Sequence, residues 1–406
     1  MTTIPAAPLD PAQLALSLAP FGQSRMLPRD AYLSPDVLEW ERRYLFDDWM
    51  CLGRSSEVAS GGLRAESVGS YGVLLTRDGE GVLRAFENAC RHRGHELLPC
   101  GGSATTPKAI VCPYHAWSYR HDGSLIGAPH FKDIDKSSFS LKPVRVQEWH
   151  GWVFVDRSGT AKDLTEHIGE LEEIVAPYDA ESLVTCESHQ YDVDANWKVI
   201  VENYQECYHC SMIHPELCRV SPPTSGSNIE REGNWVGGWM ELRAGAETMS
   251  LDGRSGGVAM ARLDEHELST VMYVAVLPNL LISLHPDYVM THMLVPLSPG
   301  KTRITCSWAF PKEVAEREDF SPAYAVDFWD LTNRQDWTAC ESVQRGLASP
   351  YATPGPLAPE EDGVYQFVSH VGRVYAGLGR AADARPSMKS EDVVPAEPAV
   401  ADEAAV

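Results

Sequence analysis

The chain has 406 residues and a formal net charge of −23, with 44% hydrophobic and 22% charged residues. That length provides for about two to three domains with sizeable cores, and the acidity argues against nucleic acid or an anionic membrane surface as partner and fits a basic protein or a small cation. No stretch reaches ~20 uninterrupted apolar residues, and the opening MTTIPAAPLDPAQ lacks the basic and apolar regions of a secretory leader, so the reading is a cytoplasmic protein whose ten cysteines are mostly thiols.

Residues 1 to about 25, rich in Ala, Pro and Leu, read as a loosely held arm. From Ser34 to Trp49 a Ser-Pro-Asp start precedes apolar residues at helical spacing, which predicts one amphipathic helix. Between residues 50 and 158, short β-branched and aromatic runs alternate with Gly and Asp-Gly turns, predicting a small antiparallel β domain. An acidic helical stretch over 163–179 and a strand at CESHQYDVDA follow. The segment Asn196 to Pro215, NWKVIVENYQECYHCSMIHP, contains no helix breaker before Pro215 and is predicted as a single helix. Residues 220–256 read as long loops covering a pocket, 270–298 and 301–310 as strands, and Tyr324 to Gly346 as a helix. Beyond about Ala381 the chain turns to Ala, Pro and acidic residues, the composition of a disordered tail.

Two constellations carry chemistry. Cys90 and His92 form one C-x-H pair, and Cys112 and His115 form a C-x-x-H pair further on. Structural zinc sites usually pair cysteine with cysteine and histidine with histidine. Here each finger is mixed, which suits a [2Fe–2S] cluster whose one iron takes two cysteines and the other two histidines. His95 and Cys100 lie nearby but outside the two spacings. On a continuous helix, Glu202, Glu206 and His209 would share a face, with His214 a little more than a turn beyond. Carboxylates and imidazoles so grouped suggest a metal, although two histidines five apart are by themselves more often surface residues.

With CRHRGHEL, CPYHAW and the NWK…ENY…E…YH…HP segment together, the chain resembles the α subunits of Rieske non-haem iron oxygenases over roughly residues 29–379. The resemblance implies an α+β fold: an N-terminal all-β Rieske domain (50–158) and a catalytic domain (159–380) with an antiparallel sheet and helices of the helix-grip, START-like kind. Residues 1–49 would be an arm and helix packing on the catalytic domain, and 381–406 an acidic tail. It implies a [2Fe–2S] cluster on Cys90, His92, Cys112 and His115. It implies a mononuclear Fe(II) on His209, His214 and a downstream aspartate, the two-histidine, one-carboxylate face that leaves positions open for O2 and substrate. Asp336 is the expected third ligand, because Thr332, Asp336, Cys340, Val343 and Leu347 fall on one helical stripe and a carboxylate buried there needs a partner. Asp327, Asp330 and Glu341 compete for that role.

Glu206, where the family usually carries Asp, would bridge His209 to His115 of the next subunit in a ring, expected to be a trimer. Ala116 departs from the Gly usual after the second cluster histidine, at a position where positive φ is costly for Ala. The Glu variant and the stretch HPDYVMTHMLVPL resemble the members acting on quaternary ammonium compounds, glycine betaine first, with choline, stachydrine and carnitine also possible. An aromatic-ring or aromatic-acid oxygenase is the alternative. Such a cation has no hydrogen to donate and is best held by aromatic faces, for which Tyr204, Tyr208, Trp235, Trp239 and Trp329 are candidates, the loop from Trp235 to Trp239 foremost. Electrons would come from NAD(P)H through a flavin- or ferredoxin-type reductase.

Overall fold

A computed structural model describes residues 4–106 and 108–378. The expected tail over 381–406 lies outside the described residues. The N-terminal β domain is built on a seven-stranded antiparallel sheet in the order Met50–Arg54, Trp152–Asp156, Pro143–Trp149, Leu83–Glu87, Tyr71–Arg77, Gly62–Val68, Ser103–Thr105. A second sheet of three short strands, Ile110–Val111, Ser118–Tyr119 and Leu125–Gly127, stands beside it and carries one of the Cys/His loops. The second half of the chain forms another seven-stranded antiparallel sheet, from Val184–Val193 at one edge through Lys301–Phe310, Val289–Ser298, Leu280–Leu284, Thr270–Val276 and Trp235–Glu241 to Ser227–Asn228.

The two halves meet where Asn279 holds Cys51: its side-chain oxygen accepts from the Cys51 amide at 2.9 Å and its Nδ2 donates to the Cys51 carbonyl at 2.9 Å. Each buried backbone group there has a partner, as burial demands.

Against the second sheet lie the helices Trp197–Tyr204 and Ala323–Leu347, with Asp362–Tyr375 packed on the first of them. The long helix matches its predicted extent to within a residue at each end. Its inward stripe is Thr332, Asn333, Cys340 and Gln344, whereas Val343 is half exposed and stands off it.

Several boundaries differ from expectation. The N-terminal arm is not loose: Pro11–Ser17 is a helix, capped by Asp10 accepting from the Ala12 amide at 2.8 Å, and it packs on the Asp362–Tyr375 helix. The predicted helix over 34–49 stops at Tyr44, because the amides of both Leu45 and Phe46 turn onto the Glu41 carbonyl. The acidic stretch 163–179 forms two short helices, Leu164–Ile168 and Leu171–Val175. The region 220–256 is not all loop, since it contributes the strand Trp235–Glu241.

A buried polar cluster ties the arm, the Trp197–Tyr204 helix and the last helix together. Lys198 and Glu41 are fully buried and pair at 2.6 Å, and the Trp197 indole donates to Glu41 at 3.1 Å, joined there by the Tyr375 hydroxyl. Removing one partner of such a pair costs about 3–5 kcal/mol, because the other charge is left buried alone. Glu202 belongs to this inner side of the helix: Tyr32 donates to it at 2.7 Å, and burial above all raises its pKa to about 8, against the smaller opposing effects of Tyr32 and Lys198. A carboxylate whose folded pKa lies above its unfolded one contributes stability that fades as pH rises from the unfolded value toward the folded one. Glu202→Gln is therefore expected to raise the melting temperature at pH 9 and to leave it nearly unchanged at pH 4, as read by thermal denaturation at the two pH values.

Candidate metal centres

The mononuclear site starts with a helix that breaks where the sequence shows no breaker. Asn196 caps it, accepting from the Lys198 amide at 3.0 Å, and regular helix ends at Tyr204. Glu206 then folds back so that one carboxylate oxygen accepts from the His209 amide at 3.1 Å and the other from His209 Nδ1 at 2.5 Å. A side chain that takes a backbone N–H in this way competes with the helical carbonyl. The expected single helix over 196–215 is thereby replaced by two pieces, and Glu202, Glu206 and His209 do not share a helical face. His209 and His214 instead flank a single turn, Cys210–Ile213.

This break turns both imidazoles toward the Ala323–Leu347 helix. Asp336 Oδ1 lies 2.9 Å from His214 Nε2 and 3.4 Å from His209 Nε2. The opposite ring nitrogens have their own partners: Glu206 for His209, and Gln335 Oε1, 2.7 Å from His214 Nδ1. Each histidine can thus donate outward from Nδ1 while its Nε2 faces the shared centre. Burial works against the Asp336 carboxylate, but the two histidines more than offset it and hold its pKa below the usual range. For His209 burial disfavours the cation, yet Asp336 and Glu206 together raise its pKa to about 9. The competing carboxylates are engaged elsewhere or exposed: Asp330 accepts from Tyr191 and Arg334, Glu341 from the Asp194 amide, and Asp327 faces solvent. The two-histidine, one-carboxylate set, each member oriented by a further residue, fits a mononuclear iron with an open face. Gln335 was not singled out from the sequence; its position next to Asp336 is the signal that could have found it.

In the β domain the two Cys/His loops face each other. Cys90 and Cys112 are buried, while the rings of His92 and His115 lie 4.8 Å apart at the domain surface. His92 stacks on Trp117, and its buried Nδ1 has no protein partner. The Tyr119 hydroxyl sits 3.2 Å from Cys90 Sγ and accepts from the Arg91 amide at 3.0 Å. Thiols inside and imidazoles outside suit a cluster that exchanges electrons at its histidine end. Ala116 adopts φ 56°, so the left-handed turn is kept in spite of the Cβ.

Beside the mononuclear triad lies a cavity of about 500 Å³. Its aromatic wall is Tyr204, Tyr273, Trp329 and Trp337, with His292 between. Tyr208 also borders the cavity, although it is largely exposed. Tyr204 is fixed by donating to the Ile282 carbonyl at 2.8 Å. Acidic Glu206, Glu360 and Asp362 also border the cavity, and among the described residues lining it there is no Lys or Arg.

Of the favoured tryptophans, Trp235 is corrected and Trp239 stays at the cavity border. Strand alternation places Trp235 and Trp239, opposite Val276 and Met272, on the sheet face away from Tyr273. Trp235 is buried in the second core with its indole donating to the Glu232 carbonyl, and Trp239 borders the cavity but packs its ring edge-on against His266. Reading WVGGWME as a strand with period two would have shown this.

Comparison with known proteins agrees with this architecture. Residues 48–139 match the Rieske [2Fe–2S] domain model and residues 180–377 the catalytic domain of the ring-hydroxylating α subunit. The glycine betaine monooxygenase oxygenase subunit of Pseudomonas aeruginosa is 30% identical over 397 residues, spanning 89% of this chain and 92% of that protein. The chain belongs to the Rieske non-haem iron oxygenase α subunits. A carnitine monooxygenase oxygenase subunit from Acinetobacter pittii is 37% identical over 195 residues, covering 46% of this chain and 52% of that one. Among solved structures, the quaternary ammonium Rieske monooxygenase CntA superposes with a TM-score of 0.75 at 25% identity, over 90% of this chain and 99% of that chain. As a Rieske monooxygenase the chain is an oxygenase subunit supplied with electrons by a reductase component. No helix among the described residues is long and apolar enough to cross a membrane.

Two outcomes follow from this geometry. Gln335→Leu removes the acceptor for His214 and is expected to weaken Fe(II) binding about 10- to 100-fold, measured by chelator competition. Ala116→Gly relieves a left-handed alanine and is expected to stabilise the fold by about 1 kcal/mol, read from chemical denaturation with the cluster intact.

Proposed function

We propose that this chain is the oxygenase component of a two-component Rieske monooxygenase that hydroxylates an N-methyl group of a quaternary ammonium compound, with glycine betaine as its first substrate. The observation that carries this reading is the cavity: aromatic faces and carboxylates around the triad, with no cationic side chain among the described lining residues. The permanent ammonium over such faces gains roughly 0.5–2 kcal/mol per aromatic contact, and the carboxylates at the border face that cationic end, while the betaine carboxylate has to be met by uncharged donors of the lining such as Asn203 or Asn333. Relatives named for glycine betaine and carnitine support the substrate class.

In this reading Cys90, His92, Cys112 and His115 hold the [2Fe–2S] cluster, and His209, His214 and Asp336 hold Fe(II). When bound, the cluster supplies electrons singly and the ferrous ion supplies O2 chemistry. The protein's part is orientation. Glu206 fixes His209 through Nδ1, and its carboxylate retains lone pairs for a donor from outside the chain. We infer that this donor is His115 of a neighbouring copy, which makes the working unit a ring, a trimer, with a flavin-dependent reductase as electron donor. Tyr204, Tyr273, Trp329 and Trp337 hold the ammonium so that one N-methyl faces the triad. Oxygen insertion into that C–H bond consumes O2, two electrons and two protons and releases water. The resulting cationic hemiaminal loses its hydroxyl proton to solvent and breaks its C–N bond to give formaldehyde and the tertiary amine.

The deciding assay incubates the protein with reductase, NADH, O2 and a panel of quaternary amines beside aromatic acids. Formaldehyde in step with NADH consumption on the amines is the expected result; hydroxylated arene with no formaldehyde would establish the ring-oxygenase alternative. Within the amine reading, Trp329→Leu is expected to raise KM about 5- to 30-fold, as loss of one or two kcal/mol of cation–π contact implies. Glu206→Gln should keep both metals bound and slow electron transfer into the mononuclear site, followed by stopped-flow reoxidation of the reduced cluster.

A further inference from the structure

The loop that carries His209 holds a feature the oxygenase reading does not use. Cys207 and Cys210 flank Tyr208 and His209, and their sulfurs are joined in a disulfide, whereas the other eight cysteines are free. A bridge between residues only three apart in sequence closes a very small loop and removes little entropy from the unfolded chain. Stabilising the fold is therefore not its main contribution, and Cys-x-x-Cys pairs are commonly sites of reversible thiol–disulfide exchange.

The second observation concerns where one of these sulfurs lies. Cys210 Sγ is 3.9 Å from His209 Nε2, the nitrogen turned toward Asp336. The ligand atoms of His209, Cys210 and His214 all fall within 4.8 Å of one another. The sulfur now bonded to Cys207 thus borders the place where a metal sits between the two imidazoles. Both cysteines line the cavity, which gives small thiols and peroxides a route to them.

We propose that Cys207 and Cys210 form a reversible redox pair that decides whether Cys210 is available as a ligand to the mononuclear metal. While the two sulfurs are bonded to each other, Cys210 has no thiolate to offer and the donor set is His209, His214 and Asp336. Reduction by a dithiol delivers two electrons and two protons: the S–S bond breaks, two thiols form, and the reductant departs as its own disulfide. Cys210 then adds a soft sulfur donor, once its proton is lost to solvent, beside two imidazoles and a carboxylate. Such a four-donor set favours closed tetrahedral binding, of the kind zinc prefers, over an open face. Hydrogen peroxide reverses the change: one thiol is oxidised to a sulfenic acid with release of water, and the second thiol displaces a further water as the S–S bond forms. This inference rests on the three-residue metal site and is independent of the substrate.

The test uses the full chain with its cluster in place and the mononuclear metal removed by chelation. One portion is treated with stoichiometric peroxide and another with dithiothreitol, each reagent is removed, and both are titrated with Zn(II) alone against a chromophoric chelator. Alkylation and mass spectrometry should find the peptide containing Cys207 and Cys210 unlabelled after peroxide and doubly labelled after dithiothreitol. The reduced protein should hold Zn(II) at least tenfold more tightly than the oxidised protein. Cys207→Ser, which cannot form the bridge, should bind tightly without any dithiothreitol step when it is kept from peroxide, and Cys210→Ser weakly after either treatment. Two labels after peroxide, equal affinity of the two wild-type forms, or a difference that persists in Cys210→Ser would each overturn the proposal. Absence of zinc binding in every form would overturn the metal triad as well, and so is told apart from failure of the switch alone.

Discussion

A carboxylate held between two imidazoles is the contact on which the catalytic half of the molecule depends. Asp336 sits within 2.9 Å of His214 and 3.4 Å of His209, and a charge so placed is tolerable only because those rings, or a cation between them, face it. The requirement propagates outward. Both histidines must point their Nε2 atoms inward, which needs acceptors on the far nitrogens, and Glu206 and Gln335 provide them. For Glu206 to do so the helix from Trp197 has to end early, so the break after Tyr204 is a consequence of the site. The long Ala323–Leu347 helix can deliver an aspartate to that point because it packs directly on the shorter helix.

The surroundings divide into two sides with different chemistry. The inner side of the Trp197–Tyr204 helix faces Glu41, Tyr32 and Tyr375, a fully buried network that anchors the arm and the last helix. The side beyond its end faces the cavity, where aromatic rings and carboxylates meet and Lys and Arg are absent from the described lining. Glu202 and Glu206 lie four residues apart, yet one is locked in the interior with its pKa raised to about 8 by burial and the other orients the His209 ring. The same residue type thus takes two roles, one inside the last turn of a short helix and the other just past its end.

How much of this was legible in the chain depended on how local each signal is. The two Cys/His loops were readable because C-x-H and C-x-x-H keep their side chains within a few residues, and the long helix was readable from its period. The end of the iron helix was not, since no Pro or Gly marks it; the breaker is a glutamate side chain satisfying the His209 amide, an interaction with no signature in composition. Trp235 was misplaced because a Gly-rich strand was read as a loop, which hid the alternation that puts Trp235 and Trp239 on the sheet face away from Tyr273 and leaves only Trp239 at the cavity border. The cavity wall draws Tyr204, Tyr273, Trp329 and Trp337 from three separate stretches of chain, so only the folded arrangement brings them together. The disulfide was not anticipated either, since thiols were the general expectation and only the loop geometry brings Cys207 and Cys210 within bonding distance.

The central claim is that one chain holds two separate iron centres, one on each constellation, and metal analysis of wild type beside Asp336→Ala addresses it most directly. Wild type is expected to carry about three irons and two acid-labile sulfides per chain. In the variant one iron should be lost while the sulfides and the visible spectrum of the cluster persist. A colourless zinc protein, or a variant that keeps all its iron, would contradict it.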